Sequence, residues 1–125
     1  MIFMKKNLSN KVLKKSLNLF NNKYKFEILY YLNIKKKMRF GEIKIEIGLI
    51  TQQLLTKLLK ELEKDMLVNR NEYNGFPRKV EYTLTSFGKS TKPIINSILK
   101  WELNHIRLIN KLMKKKITDS IYDYY

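Results

Sequence analysis

The chain has 125 residues, a net charge of +15 and an apolar fraction of 44%, enough for one hydrophobic core and too little for two. Cysteine is absent, which excludes disulfides, thiolate metal sites, a cysteine nucleophile and thiol-based redox sensing. The 26 Lys and Arg against 11 Asp and Glu suit a polyanionic partner, because a cation placed near a phosphate releases a condensed counterion. Twenty-two of those cations are lysine, and Asn and Ile are also heavily used, a pattern that an A/T-biased genome produces whatever the function. Charge alone therefore leaves nucleic-acid binding and coding bias evenly weighted. The start, Met1 to Lys6, is too short an apolar run for a signal peptide, and no stretch has about eighteen successive apolar residues. The expectation is a cytoplasmic, nucleoid-associated protein with no membrane partner.

Residues 1–25 carry seven lysines and no acid, with Leu8, Val12, Leu13, Leu17 and Phe20 at helical spacing. This predicts an amphipathic first helix with a basic outer face. Asn21 and Asn22 are expected to end it, since asparagine tolerates the left-handed backbone often found at helix ends. A second helix is expected from about Tyr24 to Asn33, dense in apolar residues at Ile28, Leu29, Tyr31 and Leu32 and so central to the core. Lys35, Lys36 and Lys37 read as a solvated basic turn. Arg39 to Ile43 opens a third helix with Phe40, Ile43 and Ile47 on one side, broken by Gly48. Arg39, at the helix start, can pair with a carboxylate or with a phosphate.

Ile50 to Asp65 is the stretch that the others frame. At about 100° per residue, Leu54, Leu55, Leu58, Leu59 and Leu62 share one side of a helix, and Gln53, Thr56, Lys57, Lys60 and Lys64 share the other. Thr51 is placed as the N-cap and Gln52 at the edge of the polar face. Taken alone, such a stretch is an ordinary amphipathic surface helix. Preceded by a short helix and a Gly-containing turn, it completes a helix-turn-helix whose outer face carries groups that read base edges and phosphates.

After Asp65 the period changes to two. Met66–Tyr73 and Lys79–Leu84 flank Asn74-Gly75-Phe76-Pro77-Arg78, and Val80, Tyr82 and Leu84 alternate with Lys79, Glu81 and Thr83. This predicts a β-hairpin with Arg70, Arg78 and Lys79 crowded near its tip. Thr85 or Ser86 can cap the next segment, with Gly88 obscuring where it opens. A long helix is then expected from about Ser90 to Lys116. Ile94, Ile98, Trp101, His105, Ile109 and Leu112 run along it, an apolar surface wider than one small core covers, and a dimer interface accounts for it. His105 reads as a packed or interfacial histidine, having no Cys or second His with which to hold a metal. The tail from Ile117 to Tyr125 is aromatic, slightly acidic and unassigned. The acids are scattered over outer faces, and no phosphate-binding Gly loop or nucleophile motif is present, so an enzyme is the weakest class.

The order of elements and particular residues together resemble the HxlR type of bacterial and archaeal transcription regulators, within the broader MarR-like group, over roughly residues 11–104. Asn22 to Leu29, N-K-Y-K-F-E-I-L, is similar to that family's G-K-W-x-x-x-I-L, and Arg39 to Ile43, R-F-G-E-I, to its R-F-N-E-L. I-T-Q-Q-L-L-T from Ile50 looks like I-S-x-x-x-L-T, and L-L-K-E-L-E from Leu58 to Glu63 continues as L-R-E-L-E does. F-P-R-K-V-E-Y-T-L-T from Phe76 is similar to V-P-P-R-V-E-Y-S-L-T, with Gly88 and Trp101 where the family has a Gly and a helix Trp. The chain departs from the pattern at three places. Lys11 stands where many members carry the cysteine some use for redox or aldehyde-type sensing. Asn21-Asn22-Lys23-Tyr24 replaces Gly-Gly-Lys-Trp. On the wing, Lys79 replaces Arg and Arg78 stands where Pro is usual, so either can supply a minor-groove contact.

The resemblance implies a mainly α fold with a small β-hairpin wing (α+β), a winged helix-turn-helix whose N- and C-terminal helices form a dimer interface. Residues 1–125 are expected to form a single winged-helix domain, with the helix-turn-helix at about 39–65, the wing at about 66–84 and dimerisation helices at about 8–20 and 90–116. The implied function is a sequence-specific DNA-binding transcriptional regulator, a homodimer on a pseudo-palindromic operator of double-stranded DNA, with no catalytic residue, cofactor or metal. Expected recognition-helix contacts are Thr51, Gln52, Gln53, Thr56, Lys57 and Lys60, and those of the wing and flanks are Arg39, Arg70, Arg78 and Lys79. Leu13, Leu17, Ile98, Trp101, His105, Ile109 and Leu112 are expected at the dimer interface. A non-sequence-specific packaging or RNA-binding protein and a winged-helix protein-interaction adaptor are the alternatives. No polar constellation names a small-molecule effector.

Overall fold

The computed structural model describes residues 2–123, and side chains for residues 8–119. Met1 and the final two tyrosines lie outside the described residues, as do the side chains of most of the unassigned tail. The order is α1 (Ile2–Phe20), α2 (Lys23–Lys35), β1 (Lys37–Met38), α3 (Phe40–Ile47), α4 (Gln52–Lys64), β2 (Val68–Tyr73), β3 (Lys79–Leu84), α5 (Ser86–Lys89) and α6 (Lys92–Asp123). The chain divides into two compact units, Met1–Lys92 and Pro93–Tyr125.

In the first unit the core follows the apolar spacing. Ile28, Leu29 and Leu32 of α2 are buried, as are Ile43 of α3 and Leu55, Leu58, Leu59 and Leu62 of α4. Each fully buried leucine contributes on the order of 2 kcal/mol, so α4 is held chiefly by this face. Leu54, at the margin of the stripe, is only half-buried. Helix α2 packs against α3, α4 and β3, the central place its density predicts. Asn22 does not take a left-handed conformation at the end of α1. It is extended, and its Oδ1 accepts the N–H groups of Tyr24 and Lys25, each at 3.1 Å, so it opens α2.

A three-stranded antiparallel sheet in the order β1-β3-β2 closes this core. The lysine run from Lys35 is not a simple solvated turn: Lys35 ends α2, Lys36 caps it at φ 73°, and Lys37 and Met38 form β1, paired with Thr83 and Tyr82. Two residues are too few to show alternation, yet Met38 is fully buried and fixes the strand. The hairpin register runs from Val68 opposite Leu84 to Tyr73 opposite Lys79. Met66 belongs to neither strand. It is exposed in a left-handed turn, after which Leu67 and Val68 enter the core. Glu81 departs from the expected alternation and is buried, its carboxylate held by Lys79 Nζ at 2.8 Å.

Glu61, one of the acids placed on outer faces, is paired with Lys25 Nζ at 2.7 Å and ties α4 to α2. The hydrogen bond from Lys25 holds its carboxyl below the usual carboxylate range, with desolvation opposing and the charges of Lys25, Lys57 and Lys64 adding to it. A depressed folded-state value means stability that is present above the unfolded pKa and lost as pH falls through the folded one. Glu61→Gln should therefore cost no more than about 1 kcal/mol at neutral pH, the pair being part-exposed and screened, and should equal the parent well below about pH 4. Urea unfolding at the two pH values checks this.

The segment after the wing opens with its own short turn. Thr85 Oγ1 accepts the Gly88 N–H at 2.8 Å, capping α5, and Ser90 and Thr91 return their N–H groups to Phe87 and Gly88 carbonyls. The long helix consequently starts at Lys92, two residues after the expected Ser90, with Pro93 in the first turn where its missing N–H has no helical acceptor to lose. Nothing breaks its spacing at Lys116, and it continues to Asp123. Described by itself, α6 is about 48 Å long. Ile98, Trp101, Ile109 and Leu112 are exposed along it, with Trp101 at 68%, and the His105 ring stacks on that of Trp101 at 5.9 Å with Glu102 at 3.5 Å. In the first unit, α1 likewise exposes Leu8, Val12, Leu13 and Leu17.

Candidate nucleic-acid interface

Helices α3 and α4 are joined by a turn that only glycine enters without strain. Gly48 sits at φ 88° and ψ −100°, and its N–H closes α3 on the Lys44 carbonyl at 3.0 Å. Ile50 then turns inward and is buried, while Leu49 is 94% exposed. The Tyr24 hydroxyl donates to the Leu49 carbonyl at 3.1 Å, tying the turn to α2. That link was not foreseen from sequence, where Tyr24 simply stands in place of the Trp of Gly-Gly-Lys-Trp; its hydroxyl gives the position a second role.

Thr51 is extended and its Oγ1 accepts the Leu54 N–H at 3.1 Å, so α4 begins on a side-chain cap as expected. The positive end of a thirteen-residue helix dipole is thereby presented beside Gln52 and Gln53. Gln52, Gln53, Lys57 and Lys60 are exposed, opposite the four buried leucines. Lys57 and Lys60 take part in none of the ion pairs among the described residues. Thr56 differs from its neighbours. It is half-buried and its hydroxyl donates to the Gln52 carbonyl at 2.8 Å, which leaves an acceptor lone pair and a methyl group.

On the wing and its flank the four expected cations are not equivalent. Arg70 is paired with Glu72 along β2, and that carboxylate's hydrogen bond, with the Tyr82 hydroxyl second, raises the guanidinium further above its ordinary value. Lys79 is paired with Glu81 and lies 5.7 Å from the centre of the Tyr73 ring across the hairpin. Its hydrogen bond, before the charges of Lys37 and Arg39, holds the Glu81 carboxyl below the usual range. Arg78, at the exposed turn beside fully exposed Phe76, takes part in none of the ion pairs among the described residues. Arg39 is extended and exposed at the start of α3, with its backbone N–H on Glu42 Oε1 at 2.9 Å.

A buried-faced helix behind a Gly turn, followed by a short hairpin with a basic tip, matches known proteins in sequence as well as in shape. A family model described as HxlR-like helix-turn-helix matches residues 19–110. The chain belongs to the HxlR-like helix-turn-helix family. An uncharacterized HTH-type transcriptional regulator of Bacillus subtilis, YdzF, is 43% identical over 86 residues, 69% of this chain and 79% of that one. The crystal structure of a MarR-family transcriptional regulator from Enterococcus faecalis superposes with a TM-score of 0.72 at 31% identity, covering 82% of this chain and 92% of that one. HypR, a redox regulator solved in its oxidized form, gives 0.68 at 37% identity, covering 74% and 94%. This HxlR-type chain has no cysteine, so thiol oxidation is not open to it. It is a winged-helix regulator with a mostly helical fold and a small antiparallel sheet, as expected from its sequence. Among the described residues, no helix is long and apolar enough to cross a membrane.

Proposed function

We propose that this DNA-binding regulator is a homodimer that reads a pseudo-palindromic operator, with α4 in the major groove and the wing tip on the minor groove or adjacent phosphates. The observation that supports this most is the division of α4: four buried leucines fix the helix in place, and Gln52, Gln53, Lys57 and Lys60 stand exposed behind a capped N-terminus. Gln53 is suited to a bidentate contact with adenine N6 and N7, and Lys57 and Lys60 to guanine or phosphate. On the wing the reading narrows to Arg78, because Lys79 is already engaged by Glu81 and Tyr73. Two copies of α4 related by a two-fold axis would enter successive major grooves about 34 Å apart. Regulation is then steric, an occupied operator blocking or recruiting polymerase on chromosomal DNA.

The roles are separable by substitution. Gln53→Ala should lose about 1–3 kcal/mol of discrimination at one base position and little on unrelated duplexes. Lys57→Ala and Arg78→Ala should weaken all duplexes and reduce the salt slope by about one each. Affinities on a panel of single-base operator variants, at several salt concentrations, check both. An unchanged sequence preference in Gln53→Ala would remove α4 from the major groove. Binding that followed phosphate density alone would favour a packaging protein, and a protein partner without DNA binding an adaptor.

A further inference from the structure

A cleft of about 350 Å³ opens at the base of the wing, between the end of α2, β1, the far end of β3 and α5. Strand β3 leaves the wing turn at Lys79 and reaches the cleft at Thr83 and Leu84, roughly 15 Å along the strand. The cleft is therefore distinct from the tip where Arg78 stands. Among the described residues, three cations line it and no acid does: Lys36 from the end of α2, Lys37 from β1 and Lys89 from α5. None of the three takes part in the ion pairs among the described residues. The nearby carboxylate of Glu81 is bound to Lys79 instead.

The rest of the lining is Leu32, Asn33, Thr83 and Leu84. Leu32 and Leu84 supply an apolar floor, both belonging to the buried core. Thr83 Oγ1 accepts from Asn71 Nδ2 at 3.1 Å, so its own proton is uncommitted. Lys36 adds a third observation. Its backbone, φ 73° and ψ −47°, is close to the strained γ-turn conformation that residues other than glycine rarely adopt. Glycine would remove that strain, whereas lysine retains it and sets an ammonium at the rim.

We propose that this cleft binds a small organic anion, a carboxylate or phosphate monoester attached to an apolar group. The anionic end is held by the ammonium groups of Lys36, Lys37 and Lys89 and the Thr83 hydroxyl, and the apolar part lies over Leu32 and Leu84. The volume falls at the small end of the range for small-molecule sites and exceeds what a bare inorganic anion fills. Strand β1 runs through Arg39 directly into α3, and β3 runs to the wing, so an occupied cleft bears on both elements that face DNA. That regulatory consequence rests on the function proposed above; ligand binding does not.

The test uses the full chain without DNA, followed by amide NMR during titration with phenyl phosphate, benzoate and inorganic phosphate. Saturable shifts confined to residues 36, 37, 83 and 89 are expected, with phenyl phosphate or benzoate at least about 10-fold tighter than inorganic phosphate. The double variant Lys36→Gln/Lys89→Gln should bind at least about 10-fold more weakly while unfolding at the parent temperature, and Lys114→Gln/Lys115→Gln on α6 should bind as the parent does. Absence of saturation by about 10 mM, equal affinity for all three anions, or shifts spread over lysines throughout the chain would overturn the proposal. So would a cleft variant that kept the parent's anion affinity but bound duplex DNA more weakly, since the lysines would then be phosphate contacts.

Discussion

Gly88→Ala is expected to lose about 3 kcal/mol or more of stability, lowering the unfolding temperature by roughly 10 °C. Gly88 is buried in α5, and a Cβ built there lies 2.0 Å from the Leu67 carbonyl oxygen and 3.2 Å from the Leu84 side chain. The first of these neighbours is backbone and cannot rotate away. Moving it would displace the Leu67 carbonyl from the Thr85 N–H, which it accepts at 3.1 Å, and with it the base of the wing. Thermal unfolding followed by circular dichroism reads the effect, and a variant as stable as the parent would show that α5 can lift off the hairpin without cost. Gly48→Ala is a useful contrast, because the added Cβ there meets nothing within 4 Å and only the backbone conformation opposes it.

Trp101→Glu combined with Ile98→Glu is expected to convert the proposed homodimer to a monomer and to weaken operator binding about 100-fold or more. Both side chains are exposed on α6, where ordinary surface substitutions cost almost nothing, so the fold of each unit should survive. What is lost is the link between two DNA-reading copies, which makes the second half-site an intramolecular event. Sedimentation velocity on the variant and gel shifts on full and half operators separate the two effects. A variant that sediments as the parent does would place the subunit contact elsewhere, and α1, with exposed Leu13 and Leu17, is the next surface to alter in the same way.

Much of the fold was legible because its elements obey one period each. The leucines of α4, the stop at Gly48 and the alternation of Val80, Tyr82 and Leu84 all mark their elements by spacing, and the structure follows them. Elements set by single contacts were not legible. Strand β1 is two residues long and depends on Met38 meeting Tyr82, a pairing between positions far apart in the chain. Glu81 sits at an outward position of the alternation, yet Lys79 beside it and the added strand β1 let it be buried. Asn22 was placed at the right junction for a different reason, since its side chain caps the following helix rather than its backbone ending the preceding one.

The candidate interface divides in the same way. The exposure of Gln53, Lys57 and Lys60 follows from helical period alone. Which wing cation remains available does not, because Arg70, Arg78 and Lys79 are alike in sequence and differ only through Glu72, Glu81 and Tyr73. The cleft lysines were hidden more deeply, being spread over three elements that only the tertiary fold brings together.

The most direct measurement of the central reading is a competition gel shift with the promoter region beside the protein's own gene, against an unrelated duplex of equal length across a salt series. The promoter should be preferred by about 10³-fold or more at physiological salt. In Gln53→Ala that preference should narrow while the salt slope stays as in the parent. Equal affinity for both duplexes at every salt concentration would rule out sequence-specific binding.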